Sequence, residues 1–186
     1  PLRAGSLSAC TSVAESTAPR SVPATVTVDA TSFQPNPGGQ AEFLADDRHR
    51  IAAFLAGYGA GKTRVGAEKA LDLAAANDGG DGLIVAPTWQ LLHRVTLRVF
   101  YDKDAPSAGV LPRQLVTRHN LGERYLRLCN GARIYYGSAD HPGSLEGANL
   151  SWFWLDEARL VKHSAWNVLV GRLRASSLMT QLMQLS

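Results

Sequence analysis

A chain of 186 residues, 45% hydrophobic and 19% charged, can bury one core of ordinary size and leaves no room for a second full domain. No apolar run approaches the length of a bilayer span, which leaves out a helical membrane protein. Cys10 and Cys129 stand far apart without CxxC spacing, which leaves out a disulfide framework or a zinc site and makes a reducing compartment the default. The net charge of +3 is unevenly placed: residues 84 to 133 hold eight Lys and Arg against three acids, net +5, leaving −2 elsewhere. A basic middle is compatible with a nucleic-acid partner.

Residues 1 to 32 are rich in Ser, Ala, Thr, Val and Pro without sustained periodicity, and they read as a disordered or poorly folded segment. The folded unit is expected over residues 33 to 174. It opens on Phe33 to Gln40, a proline- and glycine-rich entry, after which Gln40 leads a helix through Ala41 to Arg50. A glutamine amide, with one acceptor and two donors, suits the donor and acceptor on an adenine edge, so Gln40 is a candidate nucleotide contact.

Ile51 to Thr63 reads I-A-A-F-L-A-G-Y-G-A-G-K-T, a strand-length apolar run that enters a glycine-rich turn and closes on Lys-Thr. A polyphosphate is held by crowding backbone N–H groups around it, which needs glycine where a Cβ would obstruct. Gly57, Gly59 and Gly61 supply that freedom, and Tyr58 and Ala60 complete the cradle. The next helix is expected to begin near Lys62 and to aim the positive end of its dipole at the phosphates. Lys62 then reaches the β and γ groups and Thr63 sets its hydroxyl on Mg²⁺.

Beyond the loop, Ala67, Ala70, Leu71 and Ala74 mark one face of a helix that residues 77 to 80 stop. Gly82 to Ala86 reads as a buried parallel strand. A further helix is expected to run to about Tyr101, with Trp89, Leu92, Val95 and Val99 inward. Strand, helix, strand, helix is the order of a parallel sheet with crossover connections. Residues 123 to 129 and 132 to 137 flank Asn130-Gly131, so an antiparallel hairpin is expected, inserted beside the sheet with both turn residues at positive φ.

Ser151 to Ala158, S-W-F-W-L-D-E-A, predicts a strand buried on both faces with Asp156 and Glu157 at its carboxyl end, the edge where open α/β sheets hold ligands. Asp156 can hold Mg²⁺, and Glu157 can polarise a water for attack on a γ-phosphate. The fold class expected is therefore α/β: a P-loop NTPase of the ASCE type, a mainly parallel central sheet flanked by helices.

F-Q-P-N-P-G-G-Q, A-F-L-A-G-Y-G-A-G-K-T, I-V-A-P-T and G-S-L-E-G-A-N-L-S-W-F-W-L-D-E-A, in that order, resemble the ATPase domain of the large terminase subunit of tailed double-stranded DNA bacteriophages, over roughly residues 33 to 174. The resemblance implies an ATP-driven motor, with Mg²⁺ and ATP as cofactors, that threads viral DNA into a procapsid. It implies Gln40 against adenine, Gly57 to Thr63 around the triphosphate, Asp156 on Mg²⁺ and Glu157 as the catalytic carboxylate. Double-stranded DNA, a portal protein, a small terminase subunit and further copies in a ring are the implied partners, in the cytoplasm of a bacterial host. Tyr58 stands where many terminases carry a loop arginine, which leaves Arg172, Arg174 or a neighbouring subunit to supply that charge. Residues 175 to 186 read as an atypical tail, truncated or out of frame, that ends before the family's next strand and its nuclease domain. A helicase-like translocase and a nucleotide-binding remnant without turnover stay open as other readings.

Overall fold

The computed structural model describes residues 33–77, 79–102, 104, 109–145, 147, 149–174 and 181–185. The segment read as disordered, residues 1 to 32, lies outside the described residues, as do 175–180 and 186 of the tail.

One seven-stranded sheet organises the fold. Its strands are β1 (Ile51–Leu55), β2 (Asp81–Ala86), β3 (Val116–Asn120), β4 (Tyr125–Leu128), β5 (Arg133–Ser138), β6 (Trp152–Leu155) and β7 (Gln181–Leu185), in the spatial order β1-β7-β6-β2-β5-β4-β3. From β1 to β5 neighbouring strands are parallel, and β4 and β3 add on antiparallel. The helices are α1 (Gly39–Ala45), α2 (Lys62–Ala76), α3 (Trp89–Leu91), α4 (Leu97–Phe100) and α5 (His163–Arg172), with a π-helical turn, Leu92–Thr96, joining α3 to α4.

The central strands are buried on both faces because alternate residues feed two cores. Ile84, Ala86, Trp152 and Trp154 pack with α2 and the helical stretch after β2, while Leu83, Val85, Phe153 and Leu155 pack with Ala165 and Leu169 of α5. Each large aliphatic or phenyl side chain among them contributes about 1.5–3 kcal/mol on burial. Trp152 also explains a glycine: a Cβ on Gly82 would fall inside its indole ring.

Several expectations need correction. The helix after Gln40 stops at Ala45, because Asp46 turns extended and its Oδ1 accepts the N–H groups of Arg48 and His49, each at 3.2 Å. β1 is an edge strand among the described residues, with Ala52 and Phe54 buried and Ile51 and Leu55 exposed, so an apolar run that reads as a buried strand is covered on one face. The hairpin around Asn130-Gly131 is present, but it is not inserted beside the sheet: β5 is itself the parallel neighbour of β2. Its turn spans four residues and only Gly131 has positive φ, 88°, while Asn130 is tied outward, its Nδ2 donating to Ala74 O of α2 at 3.0 Å.

The tail holds the largest surprise. Sequence reasoning expects no strand after Arg174, yet β7 lies between β1 and β6, pairing Ile51 through Leu55 with Gln181 through Leu185 and Trp154 and Leu155 with Leu182 and Met183. The physical reason is the unpaired N–H and C=O row that each flanking strand would otherwise present inside the sheet.

Gly82→Ala is expected to cost at least about 3 kcal/mol, since indole and backbone must both shift. Gly171→Ala, whose Cβ meets nothing within 4 Å, is expected to be neutral or to stabilise by up to about 1 kcal/mol. Urea titrations followed by tryptophan fluorescence compare the two.

Candidate nucleotide site

The loop after β1 has the conformation that its glycines predict. Gly59 and Gly61 have φ of 76° and 72°, which a side chain with a Cβ resists, whereas Gly57 has no such requirement. Gly61 in the left-handed conformation caps α2, and the 15-residue helix begins at Lys62 with its free N–H groups and positive dipole end at the loop. Lys62 Nζ donates to Ala56 O at 3.0 Å and Gly57 O at 2.8 Å, so the ammonium spans the loop. Tyr58 stands at the tip, fully exposed.

Gln40 is buried, and its amide locks the loop from beneath: Nε2 donates to Ala60 O at 2.8 Å while Oε1 accepts from Asn36 N at 2.8 Å. One amide N–H and one lone pair remain beyond those bonds, enough for a paired contact to a base edge. The other end of α1 is held by Lys69 of α2, buried, whose Nζ donates to Leu44 O at 2.8 Å and Asp46 O at 2.6 Å. Burial pushes the Lys69 ammonium below its ordinary pKa. Helix α1 is thus latched at both ends to the loop and its helix.

Asp156 emerges from β6 at 3% exposure. Its Oδ2 accepts from Thr96 Oγ1 at 2.7 Å, and the Thr63 side chain at the end of the loop lies near enough to favour the charged form. The loop and the acidic strand end therefore meet, as sequence spacing alone could not establish. Burial raises the Asp156 pKa from 3.8 to about 6; the neighbouring Glu157 charge adds to the rise, while Thr96, the Glu157 backbone N–H and Thr63 oppose it. Glu157 has φ 50° and ψ 44°, a left-handed conformation that costs a residue with a Cβ about 1–3 kcal/mol. That turn separates its side chain from Asp156 and leaves it one-third exposed, 3.6 Å from Arg159 Nε.

A hard oxygen pair, the Asp156 carboxylate beside the Thr63 hydroxyl, suits Mg²⁺, which is bound through one or two protein oxygens plus phosphates and water. Among the described residues no cluster of three His, Cys, Asp or Glu offers a complete protein cage. This chemistry fits the ion that the sequence implies.

The comparisons with known proteins now decide the family. The profile of the large terminase subunit, T4-like virus type, N-terminal, matches residues 53–183. The chain belongs to that family. The large terminase of a thermophilic bacteriophage superposes with a TM-score of 0.62 at 17% identity, over 82% of this chain and 39% of that one. The same enzyme in complex with ATP-γ-S superposes with a TM-score of 0.58 at 16% identity, over 80% and 37%. The large terminase ATPase domain of Thermus phage P74-26 gives 0.56 at 21% identity, over 82% and 65%. The chain thus spans less than two thirds of each of these structures, and at such identities the likeness is one of fold. No protein with curated annotation matches.

Within this terminase fold, sequence reasoning missed Thr96. The expected inner face, Trp89, Leu92, Val95 and Val99, leaves Thr96 off the core, but the π-helical turn, closed by Leu97 N to Leu92 O, adds one residue to the turn. The buried stripe becomes Leu92, Thr96 and Phe100, and Val95 is exposed. No periodicity announces such an insertion. The two arginines proposed to replace a loop arginine lie at the end of α5, where Arg174 Nε donates to Gly171 O of its own helix at 3.1 Å.

A carboxyl with a folded pKa above its unfolded value binds its proton more tightly when folded, so its contribution to stability is present below 3.8 and is lost as pH rises through about 6. In metal-free buffer, wild-type stability is therefore expected to fall across that window. Asp156→Asn is expected to flatten the profile and to be more stable by about 3 kcal/mol at neutral pH, the equivalent of the gap between 3.8 and about 6. Thr96→Val, which removes an opposing hydrogen bond, is expected to move the fall to higher pH. Denaturant titrations between about pH 4 and pH 8 measure all three.

Proposed function

We propose that the chain is the ATP-hydrolysing part of a terminase motor that packages double-stranded DNA into a procapsid. The observation that carries this reading is the approach of Thr63, at the end of the glycine-rich loop, to the buried carboxylate of Asp156. It gathers loop, helix N-terminus and both carboxylates at the carboxyl edge of the parallel strands. Gln40 contacts adenine, and the backbone from Gly57 to Gly61 cradles the phosphates. Lys62 exchanges its bonds to Ala56 O and Gly57 O for the β and γ oxygens, trading two neutral acceptors for charged ones.

Asp156 and Thr63 would hold Mg²⁺, which would supply charge neutralisation to the phosphates. Glu157, turned away from Asp156 by its left-handed backbone, accepts a hydrogen bond from the attacking water and orients it in line with the γ-phosphate. Tyr58 cannot stabilise anionic charge as an arginine does, so that cation comes from outside the loop, and in a ring it comes from a neighbouring copy. Such an arginine contributes about 10³ to 10⁵ in rate. Family membership supports a portal protein, a small terminase subunit and further copies in a ring as the partners of this reading. The presence of a strand, β7, between β1 and β6 supports a turning-over site over a binding remnant.

Lys62→Ala is expected to abolish binding of a fluorescent ATP analogue. Glu157→Gln is expected to bind it as the wild type does and to release phosphate at least about 100-fold more slowly. Equal turnover by wild type and Glu157→Gln would refute the assignment of the catalytic carboxylate, and nucleotide affinity unchanged in Lys62→Ala would refute the site.

A further inference from the structure

Three arginines stand in one cross-strand row. Arg118 of β3 is the register partner of Arg127 of β4, which is the register partner of Arg133 of β5. Side chains directly opposite one another across a sheet share a face, so three arginine positions line up over about 10 Å, two inter-strand spacings. Like charges so placed are destabilising. The fold compensates one of them: Asp81, the register partner of Arg133 on β2, accepts two hydrogen bonds from it at 2.9 and 2.8 Å. Arg118 and Arg127 are exposed and make no side-chain ion pair among the described residues.

These two residues do nothing for the core, which takes Leu126 and Ile134 from the opposite face of the same strands. The row sits on the last three strands at the edge of the sheet farthest from β1, just past a register shift between Val116 and Arg118, and is held by paired backbone rather than by a loop. We propose that it is a contact surface for the phosphate backbone of duplex DNA. A line of fixed guanidinium groups matches a line of phosphates, and a bound polyanion relieves the repulsion that the fold leaves in place.

Duplex is favoured over single-stranded nucleic acid by what the face lacks. Single strands are held by stacking bases on open aromatic rings. Tyr125, on the same face, is 7% exposed, and Tyr135 is half-buried with the Arg133 guanidinium 5.6 Å above its ring. Neither offers a platform. The surface stands on its charge pattern and does not depend on ATP hydrolysis; it adds to the packaging reading a place where the duplex touches the chain.

The test is fluorescence anisotropy with a labelled random-sequence duplex of about 30 base pairs and the whole chain, without nucleotide, from about 50 to 200 mM salt. Because no nucleotide is present, the result is independent of whether the catalytic assignment holds. The Arg118→Ala/Arg127→Ala variant is expected to bind at least about tenfold more weakly and to lower the slope of log K against log salt by about two. Arg118→Lys/Arg127→Lys is expected to retain most of that slope. Arg48→Ala/Arg50→Ala, which removes equal charge near the opposite edge of the sheet, is expected to bind within about twofold of wild type. Melting of the Arg118→Ala/Arg127→Ala variant at or above the wild-type temperature, as relief of repulsion requires, excludes misfolding as the cause. Wild-type binding by that variant, an equal loss in the Arg48/Arg50 control, or tighter binding to single strands or to an acidic protein than to duplex would overturn the proposal.

Discussion

The structure depends on a carboxylate held where water is scarce. Asp156 ends a strand buried on both faces, and burial alone would keep its proton on well above the ordinary carboxylate range. Two hydroxyls oppose that, Thr63 from the phosphate loop and Thr96 from the π-helical turn. Through them the acidic strand, the loop and the helix after β2 converge on one group. A charge buried there is unfavourable in the isolated fold, and on the proposed reading it would favour a divalent ion because bulk water competes poorly.

The same compromise appears in the backbone. Glu157 sits in a left-handed conformation that a glycine would adopt without strain, yet a glycine would carry no carboxylate. The strain points two adjacent acids in different directions, which a regular strand continuing through both would also do, but only by sending one of them to the far face of the sheet. Elsewhere the site is made rigid. Gln40 and Lys69 fasten α1 at its two ends, so a base lying against Gln40 would bear on Ala60 and hence on the loop that holds the phosphates.

Sequence reasoning named the candidate site's residues but not their assembly. Gly59, Gly61, Lys62 and Thr63 were legible because the φ angles and the helix start that a phosphate cradle needs are local requirements written in neighbouring residues. Asp156 and Glu157 were legible because four bulky apolar residues ending in two acids describe a strand and its edge. Thr96 was illegible, since one extra residue in a helical turn leaves no trace in a 3.6-residue pattern. β7 was illegible for a different reason: Gln181 to Leu185 shows neither alternation nor β-branching, and what makes it a strand is the slot between β1 and β6.

Taken alone, the order of residues determined the α/β class, the phosphate loop, the acidic strand end and the hairpin turn, because each follows from interactions within a dozen neighbouring residues. Tertiary structure decided that Thr63 and Thr96 meet Asp156, that β1 is an edge, that β5 joins the parallel sheet, and that Arg118, Arg127 and Arg133 form a row. Those facts depend on register and strand order, which arise from long-range backbone pairing and from which face each strand buries. A linear pattern states what each segment prefers; the choice of partner is made by the whole sheet at once.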